Sequence, residues 1–139
     1  MWMKTARSAS LSKRRSRNTS PELALRSALH RLGLRFRVHR RIPPSRLTVD
    51  ILLPRHRLAV HVHGCFWHRH GCAVGGGRAP EGPNAPAWSA KILRVEEAEQ
   101  RGAALLLKAG FRVMVVWECE IRANVADAAK RVACLARSL

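Results

Sequence analysis

Acidic residues are scarce in this sequence. Nine Asp and Glu stand against 26 Lys and Arg, which leaves a formal net charge of +17. The excess is concentrated in residues 1–57, where 15 basic residues accompany only two acids. Arginine supplies 21 of the 26 basic residues, and its planar side chain pairs with phosphate through two parallel hydrogen bonds. The charge balance therefore predicts a polyanionic partner.

Long apolar runs are also missing. No run approaches the roughly 18 residues that are needed to cross a bilayer, so a membrane-spanning protein is excluded. The basic start of the chain lacks the apolar segment of a secretory signal. Without export, the four cysteines face a reducing cytosol, where metal ligation is favoured over disulfide formation.

The remaining composition is that of one globular domain. Apolar residues make up 47% of the chain, and 139 residues leave little room for a second core. Residues 1–18 are polar and basic without an apolar period, so we predict a flexible arm that becomes ordered on nucleic acid. The alternative is a disordered tail or an expression remnant. Residues 19–139 are predicted to form the single domain.

Hydrophobic periodicity predicts an α/β fold, in which helices flank a short mixed β-sheet. The first helix is expected to begin at Thr19 or Ser20, where Thr19 and Glu22 have capping-box spacing, and to end at Gly33. Strands are predicted over 34–38, 47–53, 58–63 and 111–117, and further helices over 88–109 and 124–137. Residues 64–87 form a long loop rich in Gly and Pro, and such a loop is normally functional or held by a metal.

Four residues have the types and spacing of a zinc site. Cys65, His70 and Cys72 follow the pattern C-x4-H-x-C, and Cys119 comes directly after the last predicted strand. Thiolate and imidazole suit Zn²⁺, and four protein ligands would make the site structural and not hydrolytic. The alternative is ordinary buried cysteines with a surface histidine. We predict that Cys134, on the apolar stripe of the last helix, is a core residue.

A second group of residues is typical of hydrolysis. Asp50 is a lone carboxylate in the apolar strand TVDILL, where burial is costly unless the side chain binds something. His61 and His63 share one face of the following strand because strand side chains alternate. An Asp that faces polar residues at positions x and x+2 of the next strand is typical of a Mg²⁺ site in restriction-type nucleases, where an acid and a Lys usually stand in place of His61 and His63. The alternative is a salt bridge between Asp50 and one of the arginines.

The run HGCFWH at 63–68, together with the distant WEC at 117–119, gives the sequence a specific resemblance. The chain resembles the very-short-patch repair (Vsr) endonucleases from about Arg7 to about Ile121. Further support comes from the segments at 15–39 and 110–119, and from Trp88 ahead of Lys91.

The resemblance implies a restriction-endonuclease-like fold with an added structural zinc. It also implies recognition of a T:G mismatch left by deamination of 5-methylcytosine. The strand would be nicked 5′ to the mismatched T by Mg²⁺-dependent phosphodiester hydrolysis, which initiates very short patch repair.

The family motifs imply a role for each matching residue. Asp50 would be a Mg²⁺ ligand together with the backbone carbonyl of Val62. His68 would be the general base, His63 would position water or phosphate, and Glu22 would assist from the first helix. The matched zinc ligands are Cys65, His70, Cys72 and Cys119. The matched aromatic wedges beside the mismatch are Phe66, Trp67 and Trp88. Inserting an apolar side chain costs the least unstacking energy at a weakly stacked step such as a mismatch. The alternative for Phe66 is packing over the zinc site. Trp117 is predicted to be a core residue.

Several positions depart from the family pattern, including the Leu-Thr-Val stretch before Asp50, where Pro-Asp is common. His61 stands where an aromatic residue is usual, and Val95 and Glu99 stand where members tend to have Asn and Asp. Three functions therefore stay open: the mismatch-nicking endonuclease, a zinc-stapled DNA-binding protein without catalysis, and a nuclease of the same fold with another substrate preference. We expect a monomeric, cytoplasmic, nucleoid-associated bacterial protein that acts on double-stranded DNA, with mismatch-repair proteins as candidate partners.

Overall fold

The computed structural model describes residues 18–43, 47–64 and 83–138. Within these ranges the chain forms a four-stranded sheet and four α-helices. The strands are β1 (Arg37–Arg41), β2 (Thr48–Leu53), β3 (Leu58–His63) and β4 (Arg112–Trp117). The helices are α1 (Ser20–Arg31), α2 (Ala85–Lys108), α3 (Glu118–Ala123) and α4 (Val125–Arg137). The predicted arm, apart from Asn18, and most of the predicted long loop lie outside the described residues.

Helix α1 begins as its sequence predicts. The hydroxyl of Thr19 accepts a hydrogen bond from the backbone N–H of Glu22 at 3.3 Å. In return, Oε2 of Glu22 accepts from the backbone N–H of Asn18 at 3.1 Å. These two bonds satisfy donors that have no partner within the helix, and they hold Glu22 in one place at the start of α1.

The sheet is mixed, with the order β1-β2-β3-β4. Strand β2 pairs antiparallel with both β1 and β3, whereas β4 runs parallel to β3. A short 3₁₀ turn over Pro54–His56 closes the β2–β3 hairpin. A parallel pair needs a long connection between its strands, and here that connection contains α2.

Opposite faces of the sheet carry different helices. One core combines Leu25 and Leu29 of α1 with Val132 of α4 and with alternate residues of the central strands. Those strand residues are Ile51, Leu53, Leu58, Val60 and Val116. A second core on the other face includes Ala59 of β3 and Leu106 of α2. Asp50, His61 and His63 have the strand parity of the α2 face, which sets the position of the site.

Arg112 ties the start of β4 to the end of α4. Its guanidinium donates to the backbone oxygens of Leu135 at 2.9 Å and Ala136 at 3.3 Å, and to the hydroxyl of Ser138 at 3.1 Å. It also donates to the backbone oxygen of His56 at 3.1 Å. A cation at a helix C-terminus satisfies carbonyls that have no partner within the helix and also interacts favourably with the helix dipole.

Several boundaries and burials differ from the sequence predictions. Strand β1 starts at Arg37, α2 starts at Ala85, and α3 was not expected. The prediction that Cys134 is a core residue is wrong, because the side chain is exposed. It lies two residues beyond buried Val132, about 200° around the helix. Trp117 is only half-buried at the end of its strand. None of the described helices combines the length and the hydropathy that crossing a membrane requires.

Candidate active site

Asp50 is held by the strand next to it. Its Oδ2 accepts a hydrogen bond from the backbone N–H of Val62 at 2.8 Å. Nδ1 of His61 lies 4.0 Å from the same oxygen. Burial raises the pKa of Asp50 from 3.8 to about 6; the Val62 hydrogen bond opposes this rise and the charge of Glu22 adds to it. Asp50 thus lies beside one of the two histidines of β3.

Glu22 and His39 approach Asp50 from other elements. One ligand atom from each of the three residues lies within 4.8 Å of the other two. Glu22 is 2% exposed and comes from the first turn of α1. His39 comes from β1, and its Nε2 lies 3.1 Å from Oε1 of Glu22. Glu22 and Asp50 were predicted as site residues, whereas His39 was not, because the strand predicted from the sequence ends at residue 38.

His63 contacts a carboxylate from the opposite element. Its Nε2 lies 2.6 Å from Oε1 of Glu99 on α2. The pKa of Glu99 is raised, chiefly by burial and further by the charge of Glu96. The His63 ring also packs edge-on against Trp117, with 5.3 Å between centroids, and lies 5.9 Å from the His61 ring. His63 is thus fixed on two sides.

A cavity of about 350 Å³ lies between the sheet and α2. Its polar wall includes Asp50, His61, His63 and Glu99. Two residues of α2 that differ from the expected Asn and Asp, Val95 and Glu99, both line the cavity. Val95 adds an apolar side chain to the lining. The other position, Glu99, supplies a carboxylate to it. The cavity brings together the titratable groups that water-dependent chemistry uses.

Comparison with known proteins identifies the family. The model of the family described as DNA mismatch endonuclease Vsr matches residues 1–74. The DNA mismatch endonuclease Vsr of Escherichia coli is 34% identical over 119 residues, which cover 86% of this chain and 73% of that protein. The chain belongs to the Vsr family. The type II nicking enzyme V.XorIIP of Xanthomonas oryzae pv. oryzae is 49% identical over 107 residues, covering 77% of this chain and 75% of the relative.

Other similarities agree with Vsr membership. The type II nicking enzyme V.NmeAIP of Neisseria meningitidis is 35% identical over 124 residues, covering 89% of this chain and 84% of that protein. Among solved structures, the catalytic domain of the homing endonuclease I-Bth0305I matches with a TM-score of 0.55 and 15% identity. The match covers 87% of this chain and all of that domain. The described α/β fold is thus similar to an endonuclease catalytic domain.

Some of the site residues expected from the Vsr resemblance lie close together in the structure, and Trp88 is buried. Glu22 lies close to Asp50, and both Asp50 and His63 line the cavity. Val62 contributes its N–H to Asp50. Cys119 is half-buried at the start of α3. Outside the described residues lie Cys65, Phe66, Trp67, His68, His70 and Cys72.

Trp88 is not a surface aromatic in this structure. It is 4% exposed and lies in the first turn of α2. The wedge role expected for Trp88 would require this ring to be uncovered, and it stays a prediction.

Proposed function

We propose that this Vsr-family protein nicks one strand of duplex DNA 5′ to the thymine of a T:G mismatch, the product of 5-methylcytosine deamination. The observation that carries the proposal is the convergence of Asp50, Glu22 and the His63–Glu99 pair beside one cavity. Family membership supports phosphodiester hydrolysis as the reaction, since relatives are named as nicking enzymes and as a mismatch endonuclease. In this proposal the nick initiates very short patch repair at the nucleoid, in the cytoplasm.

The described residues fit a hard divalent cation. Glu22 and Asp50 bring two carboxylates close together in a largely buried place, and their mutual repulsion is offset by a doubly charged ion. Mg²⁺ prefers carboxylate oxygen and keeps several waters. Asp50 and the Val62 carbonyl would hold the ion, and Glu22 would stand beside it. When bound, such an ion activates water and stabilises charge on the scissile phosphate.

Imidazoles supply the proton transfers in this proposal. His63 is held by Glu99 at 2.6 Å, which fixes the orientation of its ring toward water or phosphate. His68 is proposed as the general base, because histidine accepts a proton from water near neutral pH. Glu22 assists from its capped position on α1.

Structural zinc is part of the proposal. Cys119 supplies one ligand, and Cys65, His70 and Cys72 supply the other three. Four ligands of this kind leave no open coordination position, so the zinc would stabilise the loop and would take no part in hydrolysis.

DNA binding is attributed to the positive charge and to the loop aromatics. The net charge of +17 favours contacts with many phosphates, and residues 1–18 would act as a basic arm. Phe66 and Trp67 are proposed as wedges beside the mismatch, whereas Trp88 would have to be uncovered first. We propose a monomer, with mismatch-repair proteins as further partners.

The decisive experiment compares two duplexes that differ at one base pair. A T:G duplex and its T:A control are incubated with Mg²⁺ or with EDTA, and nicks are mapped on each strand. We expect a single nick 5′ to the mismatched T, only with Mg²⁺ and only in the T:G duplex. Asp50→Ala should abolish nicking while the DNA Kd changes by a small factor.

The other outcomes separate the competing functions. Equal nicking of both duplexes would indicate a nuclease of the same fold with another preference. Tight binding without a nick in any metal would indicate a zinc-stapled DNA-binding protein. Normal nicking by Asp50→Ala would show that the metal assignment is wrong. Affinity should fall steeply with salt, because roughly 6–10 phosphate contacts give log–log slopes of similar size.

A further inference from the structure

His39 adopts a backbone conformation that is unusual inside a strand. Its φ is +51°, in the left-handed region that residues with side chains rarely occupy. The pairing continues on both sides, with Val38 opposite Ile51 and Arg40 opposite Val49. This register places His39 level with Asp50. Backbone conformations of this kind are often kept at functional sites, where the side chain has a specific position to reach.

The contacts of the imidazole fix which nitrogen carries a proton. Nε2 lies 3.1 Å from Oε1 of Glu22 and 3.4 Å from Oδ1 of Asn18. The Asn18 oxygen already accepts from Arg26 at 2.8 Å. Both neighbours of Nε2 are acceptors, so Nε2 is the protonated nitrogen; its hydrogen bond goes to Asn18, while Oε1 of Glu22 lies within ion-pair distance and accepts no hydrogen bond among the described residues. Nδ1 is buried and has no hydrogen-bond partner among the described residues, so Nε2 makes the polar contacts of this ring.

The same contacts hold Glu22 at both carboxylate oxygens. Oε2 accepts from the backbone N–H of Asn18 at 3.1 Å, and Oε1 faces Nε2 of His39. The Glu22 side chain is 3% exposed and that of His39 is 12% exposed, so water competes little for either group. Without His39, Oε1 would lose the N–H group that lies 3.1 Å away and offsets part of its negative charge near Asp50, since two carboxylates otherwise repel each other.

We propose that His39 is a positioning residue, whose ring edge at Nε2, 3.1 Å from Oε1, holds the Glu22 carboxylate beside Asp50 in the geometry that a divalent cation requires. The inference rests on the proposed function, because it assigns His39 to the same site. It adds a residue from β1 to a site that otherwise draws on α1, α2, β2 and β3. His39 acts through Glu22 and has no direct part in the reaction.

Two substitutions separate the Nε2 donor from the backbone. In His39→Gln the terminal amide N–H₂ can reach the place of Nε2 and donate to Glu22. In His39→Asn the residue suits the left-handed φ, but its amide is too short to reach Glu22. Thermal unfolding of both variants checks that assays are run on folded protein.

The readouts are the Mg²⁺ dependence of nicking and the binding of Mn²⁺ in the absence of DNA, followed by loss of the free-ion EPR signal. We expect His39→Asn to lower kcat about 10–100-fold, as is usual when a supporting residue of a metal site is lost. It should also weaken Mn²⁺ binding, while the DNA Kd in Ca²⁺ stays unchanged. His39→Gln should restore most of both properties. Glu22→Gln and the double variant Glu22→Gln/His39→Asn should be impaired equally, because His39 acts through Glu22.

Several results would overturn the role of His39. One is a His39→Asn variant with wild-type kcat and Mn²⁺ affinity; another is the absence of any rescue by Gln. Multiplicative losses in the double variant would show that His39 acts independently of Glu22. A different result would show that only the proposed function is wrong. The wild-type protein would then bind Mn²⁺ more tightly than His39→Asn does, but it would nick neither duplex. A wild-type protein that neither nicks nor binds Mn²⁺ would overturn both.

Discussion

Nε2 of His63 on β3 lies 2.6 Å from Oε1 of Glu99 on α2. The pair joins two elements that cover opposite sides of the cavity, and it gives the site an imidazole of fixed orientation. Glu99 occupies one of the positions where the sequence departs from the family pattern. Glu99 still provides a carboxylate at this position, and it reaches His63.

Neutralising Glu99 should impair the reaction more than it impairs binding. We expect Glu99→Gln to lower kcat about 10–100-fold with little change in DNA Kd, because a neutral amide holds the His63 ring less firmly than a carboxylate. The matched control is Glu97→Gln, an exposed carboxylate two residues away on α2, which should leave kcat unchanged. If both substitutions change kcat equally, Glu99 has no specific role in the site.

The raised pKa of Asp50 predicts a pH-dependent cost to stability. The folded state binds this proton more tightly than the unfolded state, so the free energy of unfolding should rise as the pH falls from about 6 towards 4. Asp50→Asn removes the buried charge and should stabilise the protein by about 1–3 kcal/mol at pH 8. At pH 4 this advantage should vanish. Urea unfolding across this pH range, without added divalent cation, measures the difference.

A control and a counter-result complete that measurement. Glu97→Gln should keep the wild-type pH dependence, because this side chain is exposed. Mg²⁺ should raise the melting temperature of the wild type at pH 8 but not that of Asp50→Asn. A pH-independent difference between wild type and Asp50→Asn would contradict the role of burial in raising this pKa.

Zinc content should depend on one of the two cysteines that the structure describes and not on the other. Cys119→Ser should lower the zinc bound per chain and the melting temperature, because a structural zinc contributes on the order of 10 kcal/mol to folding. Cys134→Ser is the matched control, since Cys134 is exposed on α4 and should keep the metal. Metal analysis of the purified proteins decides the question, and unchanged zinc in Cys119→Ser would exclude this ligand.

Arg112 should matter for stability and not for catalysis. Arg112→Met removes the hydrogen bonds to the end of α4 and to His56, and we expect a loss of about 2 kcal/mol in unfolding free energy. Nicking at 25 °C should stay unchanged, because Arg112 is not part of the cavity lining. Arg101→Met, at an exposed position of α2, should leave both properties unchanged. A catalytic defect in folded Arg112→Met would contradict this separation.

Local signals predicted much of the fold. The Thr19–Glu22 spacing located the start of α1, and strand alternation placed Asp50, His61 and His63 on one face. Predictions that depended on packing were less accurate. Cys134 fits an apolar stripe on sequence, yet α4 turns its alanines and Val132 inward. Trp117 is apolar but lies at a strand end, where the sheet leaves it half-covered.

The candidate site was only partly predictable for the same reason. Asp50 is conspicuous because a carboxylate is unexpected in an apolar strand. The partnership of His63 with Glu99 joins residues that are 36 positions apart, and no local pattern links them. His39 was missed because its importance comes from a left-handed φ and a neighbouring helix, which a strand-like sequence does not reveal.

Glu22 uses one oxygen to begin a helix and the other to face the site. A change that loosens the first turn of α1 therefore also displaces an acid of the proposed reaction centre. Mutations that fray this helix end should be recovered among losses of activity long before the protein as a whole unfolds.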